Sequence, residues 1–364
     1  MWKERKMATW ECNTLTSTGR RTKAAFVCFI VLVLTGAAVE ARRSTIRTVE
    51  LTLHPAEASE IAEQYRLLPK TAEQTDADAV PLYNKALESL PGDSQLKKFT
   101  EWRNTPLDKL PVAQVESSLQ KLRPTLDLAA QAAHCRQCNW PAIAPDKVSN
   151  ELMQDLSKYR PLAFVLAVQA RLQIAQGRYE QAIGTMQTNL AMARHLGEAP
   201  TLVQGLVGLA IAALTLNQVE ELIEMGEAPN LYWALQDLPE PPVDLTKTME
   251  LEIANLKNYN FLVRKQFEKQ LKPAHERVRM QMSAVDRRVT ALQCIEALRL
   301  YAGSHDGKFP DQLSDVTEVT VPDDPVTKKP FSYYRTGSKA VLEAQGTEGS
   351  EGRDAIRYEL NLKE

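Results

Sequence analysis

The most strongly helical stretch of the chain covers residues 151–227 and is compatible with few folds. Within it, the segment TLVQGLVGLAIAALTLN is apolar on every face from Leu202 to Leu216, and Gln204 and Asn217 bracket this run closely. A membrane helix needs about 20 apolar residues, whereas a helix that is apolar all round is otherwise the buried centre of a bundle. We therefore expect a core helix of a helical bundle here rather than a membrane span.

A helical hairpin is expected just before this core helix. The segment LAFVLAVQARLQIAQGRYEQAIGTMQTNL contains Gly177, Tyr179, Ala182, Ile183 and Leu190. Their spacing resembles one tetratricopeptide (TPR) repeat, which implies two antiparallel helices with Gly177 ending the first. No second copy follows about 34 residues later, and a peptide-binding solenoid needs about three repeats. The sequence thus predicts a TPR-like hairpin within a bundle.

The chain begins with a basic and apolar leader. Arg20, Arg21 and Lys23 precede an apolar run at residues 24–39 that ends in small residues. A basic segment, a short apolar run and a small-residue exit are typical of export signals. Residues 1–41 are expected to be either a cleaved signal peptide or a retained N-terminal membrane anchor. The protein is then exported, and is either periplasmic or anchored to the inner membrane facing the periplasm.

Net charge bears on the class of partner. The chain has 44 Lys and Arg and 46 Asp and Glu, a net charge of −2. Residues 1–41 contain six basic and three acidic residues, so the remainder has 44 − 6 = 38 basic and 46 − 3 = 43 acidic residues, a net charge of −5. A mildly acidic body is unsuited to tight binding of nucleic acid or anionic lipid. We therefore expect no nucleic-acid partner, and membrane attachment only through residues 24–39.

Composition and periodicity predict a mainly α fold. Aromatic residues make up only 6% of the chain, which favours helices over a large sheet. The segment TVELTLHP alternates as a strand up to Pro55, whereas Pro273 is expected to kink or end a long charged helix. After the leader we expect four parts: an N-terminal strand with irregular helical segments (42–105), a helical bundle with the TPR-like hairpin (106–243), a long charged amphipathic helix (244–283) and a pilin-like α+β module (284–364).

The C-terminal module combines one helix with a small sheet. An apolar helix face is formed by Val285, Val289, Leu292, Ile295 and Leu298. After a proline-rich crossing loop, FSYYRT, KAVLEA and AIRYEL alternate as three short strands. The sequence therefore predicts a helix that packs on a three-stranded antiparallel sheet.

One spacing in this module resembles the globular half of type II secretion pseudopilins. It is carried by Gly307, Phe309, Pro310, Asp324, Pro325, Pro330 and Phe331. The chain departs from that family in having no prepilin cleavage motif and in placing Lys328 where such loops usually carry glycine. The same ending, with TLHPAEASEIAEQYRLLP, VPLYNKAL and PNLYWALQDLPEPPVDL, resembles a family of uncharacterised exported planctomycete proteins. These resemblances imply a fold and an exported location, but they imply no enzymatic reaction.

The loop positions that carry the resemblance to pseudopilins are expected to be structural. The six residues are Phe309, Pro310, Asp324, Pro325, Pro330 and Phe331. The two phenylalanines should bury against the module's helix, and the prolines should hold the loop extended. The Asp324 carboxylate should fix the turn before Pro325, so that Asp324→Asn changes little beyond that turn.

No catalytic motif is found in the sequence. There is no G-x-S-x-G elbow, phosphate-binding loop, H-E-x-x-H pair or G-x-G-x-x-G turn, and the five histidines are scattered. A calcium site near the C-terminal sheet would draw on Glu343, Glu348, Glu351 and Asp354, but their spacing matches no known ligand pattern. We expect no catalytic residue, no bound metal and no cofactor.

One cysteine motif leaves several states open. The segment HCRQCNW places Cys135 and Cys138 one turn apart, next to His134 and Trp140. The pair can form a local disulfide, remain as two free thiols at a helix end, or serve redox or metal chemistry. Cys294 lies on an apolar helix face and is expected to be an ordinary core residue.

The sequence thus predicts a non-catalytic, exported cell-envelope protein that acts through contacts with another envelope protein. The alternative is a thiol-redox or metal-dependent activity centred on Cys135 and Cys138.

Overall fold

A computed structural model describes residues 46–141, 150–256, 261–347, 350 and 352–363. Within these ranges the chain is mainly helical, with one four-stranded sheet and one short two-stranded sheet. This confirms a mainly α fold that carries a small α+β module. The expected leader, residues 1–41, lies outside the described residues.

Short elements form the first part of the described chain. They are β1 (Arg47–Leu53), β2 (Thr75–Asp78), α1 (Ala79–Glu88), α2 (Asp93–Asn104), α3 (Val112–Lys121), α4 (Arg123–Ala133) and β3 (Cys135–Gln137). The Asp78 carboxylate accepts a hydrogen bond from the Val80 N–H and so caps α1. Pro124 lies in the first turn of α4, where its missing N–H costs no helical hydrogen bond.

Three long helices form the centre of the bundle. They are α5 (Asn150–Ala175), α6 (Tyr179–Gly197) and α7 (Leu202–Ile223). Gly177, with a φ of 68°, adopts the left-handed conformation expected after α5, and α5 and α6 form the predicted hairpin. At Gly208 of α7 an added Cβ would lie 2.5 Å from the Ala193 carbonyl oxygen of α6, so only glycine allows this approach. The likeness of the hairpin to a TPR repeat stays a prediction.

The apolar helix α7 lies within the bundle. Among the described residues it is the one helix long and apolar enough to cross a membrane by length and composition. Its 18-residue apolar window is 67% buried inside the protein, against α5, α6 and the long C-terminal helix. This packing is what the sequence predicts for a core helix.

The next helices are α8 (Tyr232–Gln236), α9 (Thr246–Asn255) and α10 (Phe261–Ser304). The Asp244 carboxylate accepts a hydrogen bond from the Thr246 N–H at the start of α9, as expected for a cap. Pro273 does not end a helix: α10 continues through it, so the two helices expected on either side are one. Lys269 and Lys272 are exposed around Pro273, and water there can bond the carbonyl that the proline leaves free.

The four-stranded sheet contains β4 (Ser332–Thr336), β5 (Lys339–Ala344) and β6 (Ile356–Leu362), in the order β1-β6-β5-β4. The antiparallel pairing of β4, β5 and β6 confirms the predicted three-stranded sheet. The strand β1, which the sequence analysis assigned to a separate N-terminal part, adds a fourth strand parallel to β6. Phe309 and Phe331, 2% and 4% exposed, join the α10 residues Leu292 and Ile295 in one hydrophobic core.

Candidate functional site

The structure gives the cysteine motif a set of aromatic neighbours. Cys135 begins β3 directly after α4, and Cys138 follows that strand. Nearby, the Tyr83 hydroxyl lies 3.0 Å from Nδ1 of His195. The Trp140 indole N–H donates to the His195 carbonyl at 2.7 Å. We call these five residues the thiol cluster; sequence spacing could not reveal it, because His195 comes from α6 and Tyr83 from α1.

Burial keeps the thiol cluster neutral. Burial raises the pKa of both the Cys135 and the Cys138 thiols, and it lowers the pKa of His195 to about 4. The thiolate is the nucleophile and metal ligand, and a reactive cysteine usually has a cationic neighbour that lowers its pKa. The thiol cluster shows the opposite effect, because burial raises the pKa of both of its thiols. Cys135, Cys138 and Cys294 are free thiols in the structure.

The carboxylates considered for calcium have other partners. Glu343 pairs with Arg357 at 2.7 Å, and Asp354 accepts hydrogen bonds from Thr347 and pairs with Arg287. Glu348 and Glu351 are not among the described residues. In the part of the chain that is described, no group of three or more His, Cys, Asp or Glu side chains is arranged to hold a metal ion.

Asp324 is held by a buried arginine. The Arg287 side chain is 0% exposed, and its Nε and Nη2 donate to the two Asp324 carboxylate oxygens at 2.9 and 3.0 Å. The same carboxylate also accepts from the Val326 N–H and the Thr327 hydroxyl, which fixes the expected turn. We therefore expect Asp324→Asn to act beyond that turn, because the substitution would leave Arg287 buried without its main counter-charge.

Two further buried arginines of α10 bond other parts of the chain. Arg288 pairs with Glu220 of α7, whose carboxylate also accepts from Tyr358 of β6 at 2.7 Å. Arg299 pairs with Glu296 and donates to the His54 carbonyl that follows β1. We call these three sites the arginine clusters. They connect the helical bundle and the sheet to α10, and each of their carboxylates forms an ion pair with an arginine. The sequence did contain a signal for one of these clusters: Arg299 lies four residues after Ile295 and so falls on a helix face that is otherwise apolar.

A large open groove lies beside the C-terminal sheet, with a volume of about 870 Å³. One wall is the extended segment 316–323, which is held by hydrogen bonds from the Tyr232 hydroxyl to the Thr320 carbonyl and from the Cys294 thiol to the Pro322 carbonyl. The other wall is formed by Pro330 and Phe331, which precede β4, and by Tyr333 of β4. We call this feature the β4 groove. Two of the six residues singled out in the loop, Pro330 and Phe331, line it.

Strand β4 is the edge of the sheet along this groove. A two-residue turn makes Thr336 and Lys339 the bonded closing pair of the hairpin, and bonded and non-bonded pairs then alternate along the strand. The backbone N–H and C=O groups of Tyr333 and Arg335 consequently point away from β5. Among the described residues, no hydrogen bond joins these outward groups to another part of the backbone. The free edge of β4, whose residue Tyr333 also lines the groove, is thus able to accept another strand.

The remaining loop residues support the groove from below. The Pro310 carbonyl accepts a hydrogen bond from the Tyr333 hydroxyl at 3.0 Å, and Asp311 pairs with Arg335. Lys328, where the resembled family usually carries glycine, adopts a left-handed φ of 54°. These contacts hold the loop across the end of α10.

A second, smaller cavity of about 300 Å³ lies at the end of α2. Arg171 lines it, but its guanidinium already donates to Glu221 and to the carbonyls of Trp102, Arg103 and Thr105. Four of the five N–H donors of this guanidinium therefore have partners within the protein, which leaves one Nη2–H for a ligand.

Comparison of the chain with family models, with curated proteins and with solved structures found no match. The resemblances to pseudopilins and to exported planctomycete proteins therefore stay predictions from the sequence.

Proposed function

We propose that this protein is a non-catalytic, exported cell-envelope protein that acts by binding another protein through the β4 groove. The observation that carries the proposal is the open edge of β4 beside a large groove. Main-chain hydrogen bonds to an added strand supply affinity, and pockets for alternate side chains supply specificity. A groove of about 870 Å³ on the surface is large enough for several side chains of a partner.

The arginine clusters suit this role because they support the groove firmly. Arg287 and Asp324, which are both buried, fix the loop that runs from one wall of the groove to the other. Binding to a preformed site avoids much of the entropic cost of ordering a loop.

The cellular location of the protein is part of the proposal, and it rests on the leader at residues 1–41. Basic residues before the apolar run 24–39 favour export, with the chain either released into the periplasm or anchored to the inner membrane. Cell fractionation, with mass spectrometry of the N-terminus of the purified protein, tests this proposal. Recovery of uncleaved protein in the cytoplasm would contradict it.

Position-specific photo-cross-linking in cells that express the full chain tests the binding role. A photoreactive amino acid at Val319, in the groove wall, should give an adduct of one defined mass. The same amino acid at Val112, which is 36% exposed and lies on α3, a helix that contacts α4 and α5, is the control and should give none. The absence of an adduct at Val319 and at other groove positions would refute the proposal.

The thiol-redox or metal-dependent alternative has less support, because burial disfavours the thiolate at both Cys135 and Cys138. Insulin-reduction turnover or protein-bound zinc that is lost in Cys135→Ser would favour it.

A further inference from the structure

The first part of the loop that forms the β4 groove is acidic, whereas the part that joins the two walls, residues 325–329, contains Lys328 and Lys329. Residues 311–324, DQLSDVTEVTVPDD, contain five acidic residues and no basic residue. Two of the five are neutralised by arginine: Asp311 pairs with Arg335, and Asp324 pairs with Arg287. The charged side chains that line the groove are Glu318 and Asp323, and no Lys or Arg is among the lining residues. Glu318 accepts a hydrogen bond from the Ser304 hydroxyl and lies 3.3 Å from Nδ1 of His305, whereas Asp323 is exposed. The border of the groove is therefore acidic, with Asp323 as its exposed carboxylate.

Apolar side chains lie between these carboxylates. Val316, Val319 and Val321 line one wall, and Phe331 and Pro330 line the other. Val316 and Phe331 are buried and form the base, whereas Val319 and Val321 remain partly exposed. A strand laid along β4 would turn alternate side chains toward this apolar surface.

The outward backbone groups of β4 set the conformation of the ligand. Tyr333 and Arg335 offer N–H and C=O groups in the spacing that only an extended chain matches. A helix satisfies its own backbone groups and could not use them. The groove thus combines an extended template, an aliphatic surface and an acidic border.

We propose that the β4 groove binds an extended segment of a partner protein that carries aliphatic side chains alternating with lysine or arginine, and that this segment pairs with β4 as an added strand. The proposal rests on the proposed function and names the chemistry of the partner. Like charges brought together in an interface are strongly disfavoured, so the acidic border selects against acidic segments. A second copy of this chain is the competing occupant.

Two synthetic peptides of about eight residues, the usual length of a strand, test the charge preference. One alternates valine with lysine and threonine, and the other has glutamate in place of each lysine. Fluorescence anisotropy with the purified exported chain should give a Kd at least about tenfold lower for the lysine peptide, a difference that salt reduces by screening. Equal binding of both peptides, or binding of neither, would overturn the proposal.

Two variants separate charge from strand pairing. Asp323→Lys should weaken binding of the lysine peptide by about tenfold or more, because it places a cation in the acidic border. Glu101→Lys, an exposed change in α2, is the charge-matched control and should leave binding unchanged. No effect of Asp323→Lys would contradict electrostatic selection.

Arg335→Pro removes an outward N–H at the edge strand, a position where proline is tolerated. Arg335→Val removes the same ion pair but keeps the N–H. We expect the proline variant to lose peptide binding and the valine variant to keep it within about threefold, since a backbone hydrogen bond is preserved. Equal binding by the two variants would refute strand addition, and if the proline variant fails to fold, the Asp323→Lys result still decides the charge preference.

These outcomes are distinguishable from failure of the proposed function. If the Val319 cross-link forms but neither peptide binds, the groove contacts protein and the partner chemistry is wrong. If sedimentation shows that the chain self-associates and that Arg335→Pro abolishes this, the occupant is a second copy and the proposal falls.

Discussion

The substitution Asp324→Asn tests one of the buried arginine clusters. The side chains of Arg287 and Asp324 are 0% and 3% exposed and share two hydrogen bonds. Removing one partner of a buried ion pair typically costs about 3–5 kcal/mol, because the other charge stays buried. The Asp354 carboxylate lies 3.3 Å from Arg287 and compensates in part, so we expect about 3 kcal/mol, the low end of that range.

Thermal unfolding measures this cost. A loss of about 1 kcal/mol lowers the Tm by about 2–4 °C in a unit of 150–250 residues, so Asp324→Asn should melt about 6–12 °C lower. Asp323→Asn removes an exposed carboxylate from the adjacent position and should shift the Tm by no more than about 2 °C. If Asp324→Asn and Asp323→Asn had the same Tm, the argument that Arg287 needs its counter-charge would be refuted.

The pH dependence gives an independent check of the same pair. Burial raises the pKa of Asp324, but hydrogen bonds from Arg287, Thr327 and Val326 outweigh this, so the pKa lies below its usual value. An acid with a depressed folded-state pKa stabilises the fold fully above its unfolded pKa of about 3.9, and this stabilisation is lost as the pH falls through the folded value. The difference in Tm between wild type and Asp324→Asn should thus be constant above about pH 5 and shrink below about pH 4.

Three further predictions concern other buried groups. Phe331→Ala should cost about 3–5 kcal/mol and open the C-terminal module to limited proteolysis while the bundle stays folded, whereas Tyr334→Ala, at a 48% exposed side chain, should not. Burial and the Glu240 carboxylate raise the pKa of Asp286 to about 6, so its ionisation weakens the fold as the pH rises from about 4 to 6. Asp286→Asn should accordingly melt higher than wild type at about pH 8 and no higher at about pH 4. Burial lowers the pKa of His195 to about 4, so stability to urea should fall as the pH drops from about 6.5 to 4; a flat profile in wild type, or an unchanged one in His195→Gln, would contradict this.

Local signals in the sequence predicted the elements that local chemistry determines. Gly177 ends a helix because glycine reaches the left-handed region without strain, and the alternation in residues 332–344 predicts a hairpin because one face is buried. The continuation of α10 through Pro273 was missed, since a proline signal says nothing about whether water or neighbours can satisfy the freed carbonyl.

The candidate site was predictable only in part. Pro330 and Phe331 stood out as residues that shape a loop, but the groove depends on which strand is the sheet edge, and that follows from long-range pairing. The partner of Asp324 was hidden for the same reason: Arg287 belongs to a helix that precedes the loop, and only packing brings the two together.

The parallel pairing of β1 with β6 has a consequence for how the protein is made. Leu51 lies opposite Leu360, so β1 can pair only after the chain has been made as far as β6. Such non-local pairing makes folding slow, and until β6 is present the edge bearing Leu51 and Leu53 stays open to other chains. A polypeptide that has lost β6 would therefore carry an unpaired, aggregation-prone β1.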